Sequence, residues 1–382
     1  MEMGTTTLKN IQAMRVSAGL SIWYKDYILL VQQKNDYAKL NLSIPKGNVE
    51  SGESYIQTAI RETFEETGIA VNKEFINKKP YIINIDTKFI QRRIVYYKVT
   101  LHLLPEINII DTNEIQWAGF IHISQAIKQI QKFQLPILWY KHNHIPKEIL
   151  TYYVDNNYIS QEKHPTKNIF IYNYTAKCKN DCMWNEITLW CRGLILDSQN
   201  NIIVRPMRKF FEYEQLIDEF KPNGNFTITK KIDGFLGILY WINNMPFIAT
   251  RGSFISHQAI KANTILYTKY LHVLSQLNTN YTYLFEIVYK NDYLIIDYGE
   301  TEDLILLYIF DNTSQKEIDI QTFHSQFPKA NTITRQYSIK ELLSLNIPQK
   351  EGFVLKFDNG DRVKIKFPWY KEQYTLKHSN NK

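Results

Sequence analysis

The stretch from Lys46 to Ile69 constrains the fold more than any other part of this sequence, because a glycine-containing loop, Lys46 to Gly52, runs there into a segment whose glutamates recur at helical spacing. Residues Glu53 to Thr67 place Ile56, Ala59, Ile60 and Phe64 on one stripe, and Gly68 stands just past the end as a helix stop. On that helix Glu62, Glu65 and Glu66 fall at i, i+3 and i+4, so three carboxylates project from one face. Clustered acids repel one another without a counterion. The face is therefore either a solvated acidic surface or a seat for hard divalent cations bound through oxygen.

The flanks organise around this helix. From Val16 to Gln33 the chain reads as two strands joined by a turn at Tyr24 to Asp26. Further strands are expected at Tyr81 to Asp86 and Ile90 to Leu104, and a helix at Ile123 to Lys132. The 382 residues exceed what one core of typical size accommodates. The segment Leu135 to Pro146, with Pro136, Pro146 and the polar run Lys141 to His144, is the best boundary and gives domains 1–145 and 146–382. Beyond it short strands alternate with turns at Asn223-Gly224, Asp233-Gly234 and Asn359-Gly360, the pattern of an antiparallel-rich α+β domain.

Composition excludes the disordered and fibrous classes, with 44% hydrophobic, 14% aromatic and 22% charged residues. The formal charge of +7 is spread, 17 Lys+Arg against 13 Asp+Glu in 1–145 and 28 against 25 in the remainder. A nucleic acid would be met by local patches and not by a basic arm. The 26 Tyr suit surfaces that stack on bases, although a Tyr- and Asn-rich composition also follows from a low-GC genome. Cys178, Cys182 and Cys191 fit reduced thiols better than a disulfide framework, and a zinc reading of Cys178 and Cys182 lacks two further ligands at sensible spacing. Met1 to Asn10 has no apolar signal-peptide region, and no run of about 20 apolar residues occurs, so a cytoplasmic protein with no membrane partner is expected.

The loop and helix together match a longer pattern: Gly, five residues, Glu, seven residues, Arg-Glu, an aliphatic, any residue, Glu-Glu, any residue, Gly, an aliphatic. Gly47, Glu53, Arg61, Glu62, Glu65, Glu66 and Gly68 fill every fixed position, a coincidence of order one in 10⁸ per start at about 6% per residue type. This resembles the box of the Nudix hydrolases. Thr63 departs from it, standing where the family has an aliphatic residue that packs beneath the helix. The resemblance implies an α/β/α sandwich, Mg²⁺ or Mn²⁺, and attack of water on a nucleoside diphosphate linked to another group. Glu65 and Glu66 are the leading metal ligands it implies, with Glu62 a third, and Glu53 either a ligand or a group that orients the helix. Arg61 is expected to pair with a carboxylate and fix the loop. Lys46 is a candidate phosphate contact, and Arg92 and Arg93 are either the same or an exposed strand edge. The run Pro45-Lys46-Gly47-Asn48-Val49-Glu50 is most similar to the dinucleoside-polyphosphate and RNA 5′-end branch of that family.

A second pattern lies in Thr229-Lys230-Lys231-Ile232-Asp233-Gly234, which contains Lys-x-Asp-Gly. Three fixed residues recur in about one chain in ten by chance, so the neighbours decide. Upstream come Cys191-Arg192-Gly193-Leu194 and Arg205-Pro206-Met207-Arg208-Lys209-Phe210-Phe211, and downstream Thr250-Arg251-Gly252-Ser253 and Leu284-Phe285-Glu286-Ile287-Val288. Glu351-Gly352-Phe353-Val354 and Val363-Lys364-Ile365-Lys366-Phe367-Pro368-Trp369-Tyr370 close the series. In order and spacing it resembles the RNA ligase family typified by the bacteriophage RNA ligase 1 enzymes, across residues 150–382. The fold so implied is an ATP-grasp-like covalent nucleotidyltransferase domain following the α/β Nudix domain.

A nucleophilic lysine must lose its proton, and neighbouring cations are expected to lower its pKa from near 10.4. By the resemblance Lys231 attacks the α-phosphate of ATP, whereas Lys230 is out of register with Asp233-Gly234 and has no catalytic role. Lys364 and Lys366 should contact the α-phosphate, and Arg192, Lys209 and Arg251 position the triphosphate or sugar. Glu286 binds the ribose or a metal, Glu351 the catalytic Mg²⁺, and Phe211 either flanks the nucleotide or sits in the core. Two positions depart from the family: Gly252 stands where the phage enzyme has lysine, and Phe235 where a small Ser is common. The sequence runs only a short way past Lys366, so the phage enzyme's C-terminal helical domain is not expected. Together the resemblances imply RNA with 3′-OH and 5′-phosphate ends as ligase substrate and a nucleotide or capped RNA end for the hydrolase. The other readings are a housecleaning hydrolase of dinucleoside polyphosphates or ADP-ribose, and a domain that only senses a nucleotide or RNA end.

Overall fold

β-Branched and aromatic residues on both sides of a Lys25-Asp26 turn make the first hairpin, β1 (Arg15–Tyr24) and β2 (Tyr27–Gln33). The computed structural model describes residues 15–34, 42–86, 91–139, 145–216, 221–290, 292–314, 316–321 and 327–379. Met1 to Asn10, Ile90 and the run Lys141 to His144 lie outside them. By compactness the described chain divides into a first unit that runs to Ile159 and takes in Tyr174–Thr188, and a second made of Ser160–Asn173 and the residues from Leu189 onward.

In the first unit β1 and β2 are joined by β3 (Lys46–Asn48), α1 (Tyr55–Thr67), β4 (Asn77–Asp86), β5 (Gln91–Leu101), β6 (Ile115–His122) and α2 (Ile123–Gln129). The sheet has the order β4-β5-β1-β2-β6, with β3 on β1. β1 and β5 run parallel from Arg15↔Arg92 to Tyr24↔Leu101, and the other pairs are antiparallel. A parallel pair in a mixed sheet is buried on both faces, and β1 shows an unbroken buried run, Ser17 to Trp23.

Helix α1 begins at the Ser54 cap, whose side chain and that of Gln57 form a reciprocal capping box, and ends at Gly68 with φ 72°. Its stripe differs from the expected one. Ala59 is buried, with Ile56 and Ile60 packed partly against Ala18, Leu20 and Val95, but Phe64 is exposed and the remaining inner positions are Thr58, Thr63, Glu66 and Thr67. Phe64 stands about 140° around the helix from Ala59, whereas Thr63 and Glu66 fall close to its line. Polar residues therefore share the buried side of this helix with Ile56, Ala59 and Ile60.

α2 stops at Gln129, short of the expected Lys132, and a 3-10 turn over Lys132–Trp139 carries Pro136. Leu135 to Trp139 are buried, so the expected linker begins inside a core. Compactness divides the chain later than residue 145: α3 (Lys147–Asp155) and α4 (Ala176–Asn180) belong with the first unit, where Asn185 donates to the Tyr153 hydroxyl at 3.1 Å.

The chain continues through β7 (Ile159–Lys163), β8 (Ile169–Tyr174), α5 (Glu186–Trp190), β9 (Arg192–Asp197) and β10 (Ile202–Val204). Next come β11 (Phe226–Lys231), β12 (Phe235–Ile242), β13 (Met245–Thr250), α6 (His257–Lys269), β14 (Tyr281–Val288), β15 (Asp303–Asp311), β16 (Glu317–Ile318) and β17 (Thr332–Ile333). The last elements are α7 (Ile339–Ser344), β18 (Gly352–Phe357), β19 (Arg362–Lys366) and α8 (Pro368–Ser379).

Three sheets result, with orders β10-β9-β8-β7, β17-β11-β18-β19 and β13-β12-β14-β15-β16. Ile171, Ile195 and Val204 of the first pack on Leu236, Ile238 and Leu284 of the third, whose other face carries α6 through Ala262, Ile265 and Leu266. The second has its own core, Ile228, Leu355, Phe357, Val363 and Ile365 with Leu342 of α7. Asn359-Gly360 closes the β18–β19 hairpin as expected. Asp233-Gly234 makes no hairpin, because β11 and β12 lie in different sheets and this dipeptide carries the chain between them. Among the described residues no helix is long and apolar enough to cross a membrane.

Thr63 is fully buried and its hydroxyl has no hydrogen-bond partner. A valine of the same shape removes the stranded group, so Thr63→Val should stabilise the first unit by about 1 kcal/mol. Urea unfolding followed by a probe in that unit should show a higher midpoint, and a lower one would mean the hydroxyl is satisfied.

Candidate active sites

The first site is built where β3 meets α1. Pairing of Gly19 with Lys46 and of Ser17 with Asn48 pins the loop to the central strand. The Lys46 N–H donates to Glu66 Oε2 at 3.1 Å, and a Cβ on Gly47 would stand 1.9 Å from Glu62 Cδ, so only glycine lets the loop lie against that carboxylate. Arg61 ties the assembly together. Its Nε donates to Glu53 Oε1 at 2.8 Å, Nη1 to Glu62 Oε1 at 2.8 Å and Glu65 Oε2 at 3.0 Å, and Nη2 to the Asn48 carbonyl at 3.1 Å. Glu53 also accepts from Thr58 Oγ1 at 2.7 Å. Glu53 thus holds Arg61 and Thr58 together at the start of α1.

Electrostatics separate these acids. The hydrogen bonds from Arg61 and Thr58 hold the Glu53 carboxyl down at about 2. Burial pushes Glu62 up despite Arg61, and pushes Glu66 up further, with Lys46 opposing and Glu62 and Glu114 adding to it. Lys46 is itself buried, and loss of water lowers its pKa against the pull of Glu66. Arg92 points inward, donating to Ser17 Oγ at 2.9 Å, and Ser17 Oγ donates to Asn48 Oδ1 at 3.2 Å. It is thus joined to the loop, unlike a bare strand edge. Glu114, before β6, acts on Lys46, Glu62 and Glu66 and carried no signal in the sequence.

Among the described residues no three acids, His or Cys converge as a metal cluster, since Arg61 draws Glu53, Glu62 and Glu65 to itself. The donor set still fits a hard divalent cation. It is all oxygen, and burial and mutual repulsion hold Glu62 and Glu66 above the range of solvated carboxylates, a cost that a cation at Glu62, Glu65 and Glu66 relieves.

The second site lies where β11, β18 and β19 end beside β14. Register sets Lys231 opposite Gly352 and Gly352 opposite Lys366. Gly352 has φ 147° and approaches β19 so closely that a Cβ would meet the Ile365 carbonyl oxygen at 1.9 Å. Strand alternation then puts Lys230 on the opposite face from Lys231. The Glu351 carboxylate, 3% exposed, accepts from Lys231 Nζ at 2.8 Å on Oε2 and lies 3.0 Å from Lys366 Nζ on Oε1.

Burial raises Glu351, but Lys231 and Lys366 outweigh it and the net direction is down. Glu286, on β14, is pushed up to about 7 by burial, with Lys231 pulling it down and Glu351 up. Lys231 itself corrects the sequence expectation. Burial lowers it, as Arg192 does, yet the flanking Glu351 and Glu286 carboxylates win and its pKa is raised. The lowered lysine is Lys364, brought to about 7 by burial and then by Lys209, Lys231 and Lys366.

The other sequence-selected residues gather around this core. Arg192 opens β9 with its charge felt at Lys231 and Glu286. Gly193 lies against the backbone of Arg251. The Phe211 carbonyl accepts from Lys364 N at 3.0 Å, and Lys209 Nζ lies 4.6 Å above the Phe211 ring. Asp233 is structural in its contacts. Its Oδ2 accepts from Ile295 and Ile296 N, both at 2.8 Å, and its Oδ1 from the Tyr370 hydroxyl at 2.5 Å. The sequence reading missed Tyr298, which donates to no carboxylate but accepts the Asp233 N–H at 3.0 Å, and Glu162, which accepts from Ser253 Oγ and Phe254 N beside Arg251. Both come from distant segments, and nothing local marks them.

Comparison with known proteins agrees with this division. The chain matches the NUDIX domain over residues 14–138 and the RNA ligase family over residues 190–370. Similar solved structures include a C. elegans Ap4A hydrolase binary complex, with 27% identity over 33% of this chain and 93% of that one and a TM-score of 0.29. A MutT NUDIX hydrolase from Burkholderia pseudomallei shares 19% identity over 30% of this chain and 86% of that one, with a TM-score of 0.24. A bifunctional NMN adenylyltransferase/ADP ribose pyrophosphatase from Francisella tularensis shares 20% identity over 39% and 43%, with a TM-score of 0.30. No curated protein matches.

Replacing Glu351 by Gln removes a charge that holds the Lys231 proton. In Glu351→Gln the Lys231 pKa should fall. Reaction of Lys231 with an amine-directed acylating reagent, followed by peptide mass spectrometry against pH, should move its midpoint down, and an unmoved midpoint would transfer the effect to Glu286.

Proposed function

The chain joins a NUDIX domain to an RNA ligase domain, and from that premise we propose a bifunctional RNA end-processing and repair enzyme. Its ligase seals a 3′-OH to a 5′-phosphate with ATP, and its hydrolase converts triphosphorylated, capped or adenylated 5′ ends to the monophosphate that ligation needs. The observation that carries the ligase reading is the buried Glu351 between Lys231 and Lys366, with Glu286 and Lys364 beside them.

In this reading Lys231, its proton lost to solvent, forms a bond from Nζ to the α-phosphorus of ATP as the bond from that phosphorus to the pyrophosphate oxygen breaks. Lys364, Lys366, Arg192 and Lys209 face the growing negative charge. The AMP passes to the RNA 5′-phosphate, and attack by the 3′-OH then expels it. Whatever draws Glu351 from Lys231 lowers the lysine pKa and frees its lone pair. In the hydrolase, Lys46 and Arg92 stand on the loop and strand beside the acids and are assigned to the substrate phosphates. Glu62, Glu65 and Glu66 in one site and Glu351 in the other would hold divalent cations, which would neutralise phosphate charge in both and activate water in the hydrolase.

Radiolabelled ATP should leave AMP on the full-length protein, and Lys231→Ala should abolish the label; label persisting in that variant refutes the assignment. Glu65→Gln in the full chain should lower release of 5′-monophosphate ends from triphosphorylated or adenylated RNA by about 100-fold. Wild-type protein that leaves RNA ends intact while cleaving free dinucleoside polyphosphates would replace the shared-end reading with housecleaning hydrolysis.

A further inference from the structure

Three aromatic rings stack along one side of α8. Tyr370, Tyr374 and His378 fall at i, i+4 and i+8, with ring centroids 6.4 Å apart at 28° for the first pair and 4.0 Å apart at 20° for the second. The inner end of the stack is the ligase site. Tyr370 is buried with its hydroxyl on Asp233, and Lys366 Nζ, which holds Glu351, lies 4.6 Å from the Tyr370 ring and 5.6 Å from the Tyr374 ring. The outer end is open: Tyr374 is 43% exposed and His378 is exposed.

Packing does not account for the outer rings. Tyr370 is the buried residue of α8, so Tyr374 and His378 serve no core, and an i,i+4 ring pair alone adds only weakly to helix stability. An apolar partner is not what the face fits, since exposed Leu376 lies on the far side of the helix from Tyr374. Three ammonium groups lie along this helix: Lys366 at the root, held on Glu351, Lys371 in the first turn, paired with Glu212 and Glu214, and Lys377 in the last turn. Lys377 Nζ donates to the Tyr293 and Leu294 carbonyls at 2.9 and 2.7 Å, which fixes that end of the helix in place. Planar rings with ammonium groups beside them match a single strand, whose bases stack and whose phosphates need cations.

We propose that Tyr374 and His378 form the outer steps of a stacking track on which an unpaired base of the RNA strand rests as its end enters the ligase site. The proposal rests on the ligase reading and adds a substrate-positioning surface to it. Because Tyr374 and His378 lie outward of Lys366 on the exposed part of α8, the track acts on the RNA steps and not on the transfer of AMP to Lys231.

The test uses full-length protein and a short single-stranded RNA carrying 2-aminopurine at its terminal position. In wild type, binding should quench the 2-aminopurine, as stacking does. His378→Ala and Tyr374→Leu should each raise the KM for RNA about tenfold, of the order of one base–aromatic stack. Both should lose the quenching, while the KM for ATP in self-adenylation stays within about twofold of wild type, and His378→Phe, which keeps a planar face, should restore quenching and RNA KM. Wild-type RNA KM and quenching in both variants would overturn the track, and so would a joint rise of the ATP and RNA KM values, which marks a merely structural helix. If wild type takes up no AMP at all, the ligase reading falls and the track with it.

Discussion

Taking a carboxylate and an ammonium out of water costs several kcal/mol per ion, repaid only when geometry is good and every oxygen is occupied. Glu351 meets that condition with one lysine on each oxygen, and the second unit's architecture follows from it. Lys231, Gly352 and Lys366 must stand abreast on β11, β18 and β19, because a one-residue slip of any strand would turn a lysine to the wrong face. The left-handed backbone at Gly352 lets β18 come close enough to β19 for both lysines to reach a single carboxylate. Glu286 arrives from the neighbouring sheet, which is why the chain must cross between sheets at Asp233-Gly234 and why Asp233 is held by Ile295, Ile296 and Tyr370.

The first unit solves a similar problem with the opposite excess. Acids outnumber their counter-charges on α1, so one guanidinium is shared among Glu53, Glu62 and Glu65, and Glu66 is left with a backbone N–H and the buried Lys46 ammonium. A fork of donors suits Arg61 to this in a way lysine could not match. The consequence appears in the helix itself. Its buried positions include Thr58, Thr63, Glu66 and Thr67, where hydrophobic residues would stabilise more, so packing has yielded in part to the placement of carboxylates.

How much of this was legible follows from where each signal lies. The β1–β2 hairpin, the start of α1 at its cap and its end at Gly68 are local, and the sequence reading placed them within a residue or two. The seven-position box and the motif series likewise rest on short spacings. Phe64 was misplaced because periodicity weighs apolar residues and cannot see that polar ones have taken part of the inner face. The 3-10 turn Lys132–Trp139 was read as linker because Pro136 is a breaker signal, yet its side chains fill a core. The sign of the Lys231 shift was missed for a different reason. Cations were visible nearby in the sequence, but the weight of Glu351 and Glu286 depends on their sharing a buried site, a fact of tertiary packing. Glu114, Glu162 and Tyr298 come from remote strands and loops, beyond the reach of any local pattern.

Burial and neighbouring charges bring Glu286 up and Lys364 down, each to about 7, beside a Lys231 that its flanking carboxylates hold up. Such a site holds its nucleophile in the protonated, unreactive form at rest. A polyanion entering beside Lys364 would draw a proton onto that lysine and by its charge favour the ammonium form of Lys231 as well, whereas a cationic group that engages Glu351 would loosen the Lys231 proton. On the proposed reading it is therefore relief of the Glu351 contact, and not the substrate's negative charge, that shifts the lysine toward the reactive form. A lysine kept neutral by cations alone would lack that condition. The buried carboxylate, at first sight an obstacle to a nucleophilic amine, makes the activation conditional on what engages Glu351.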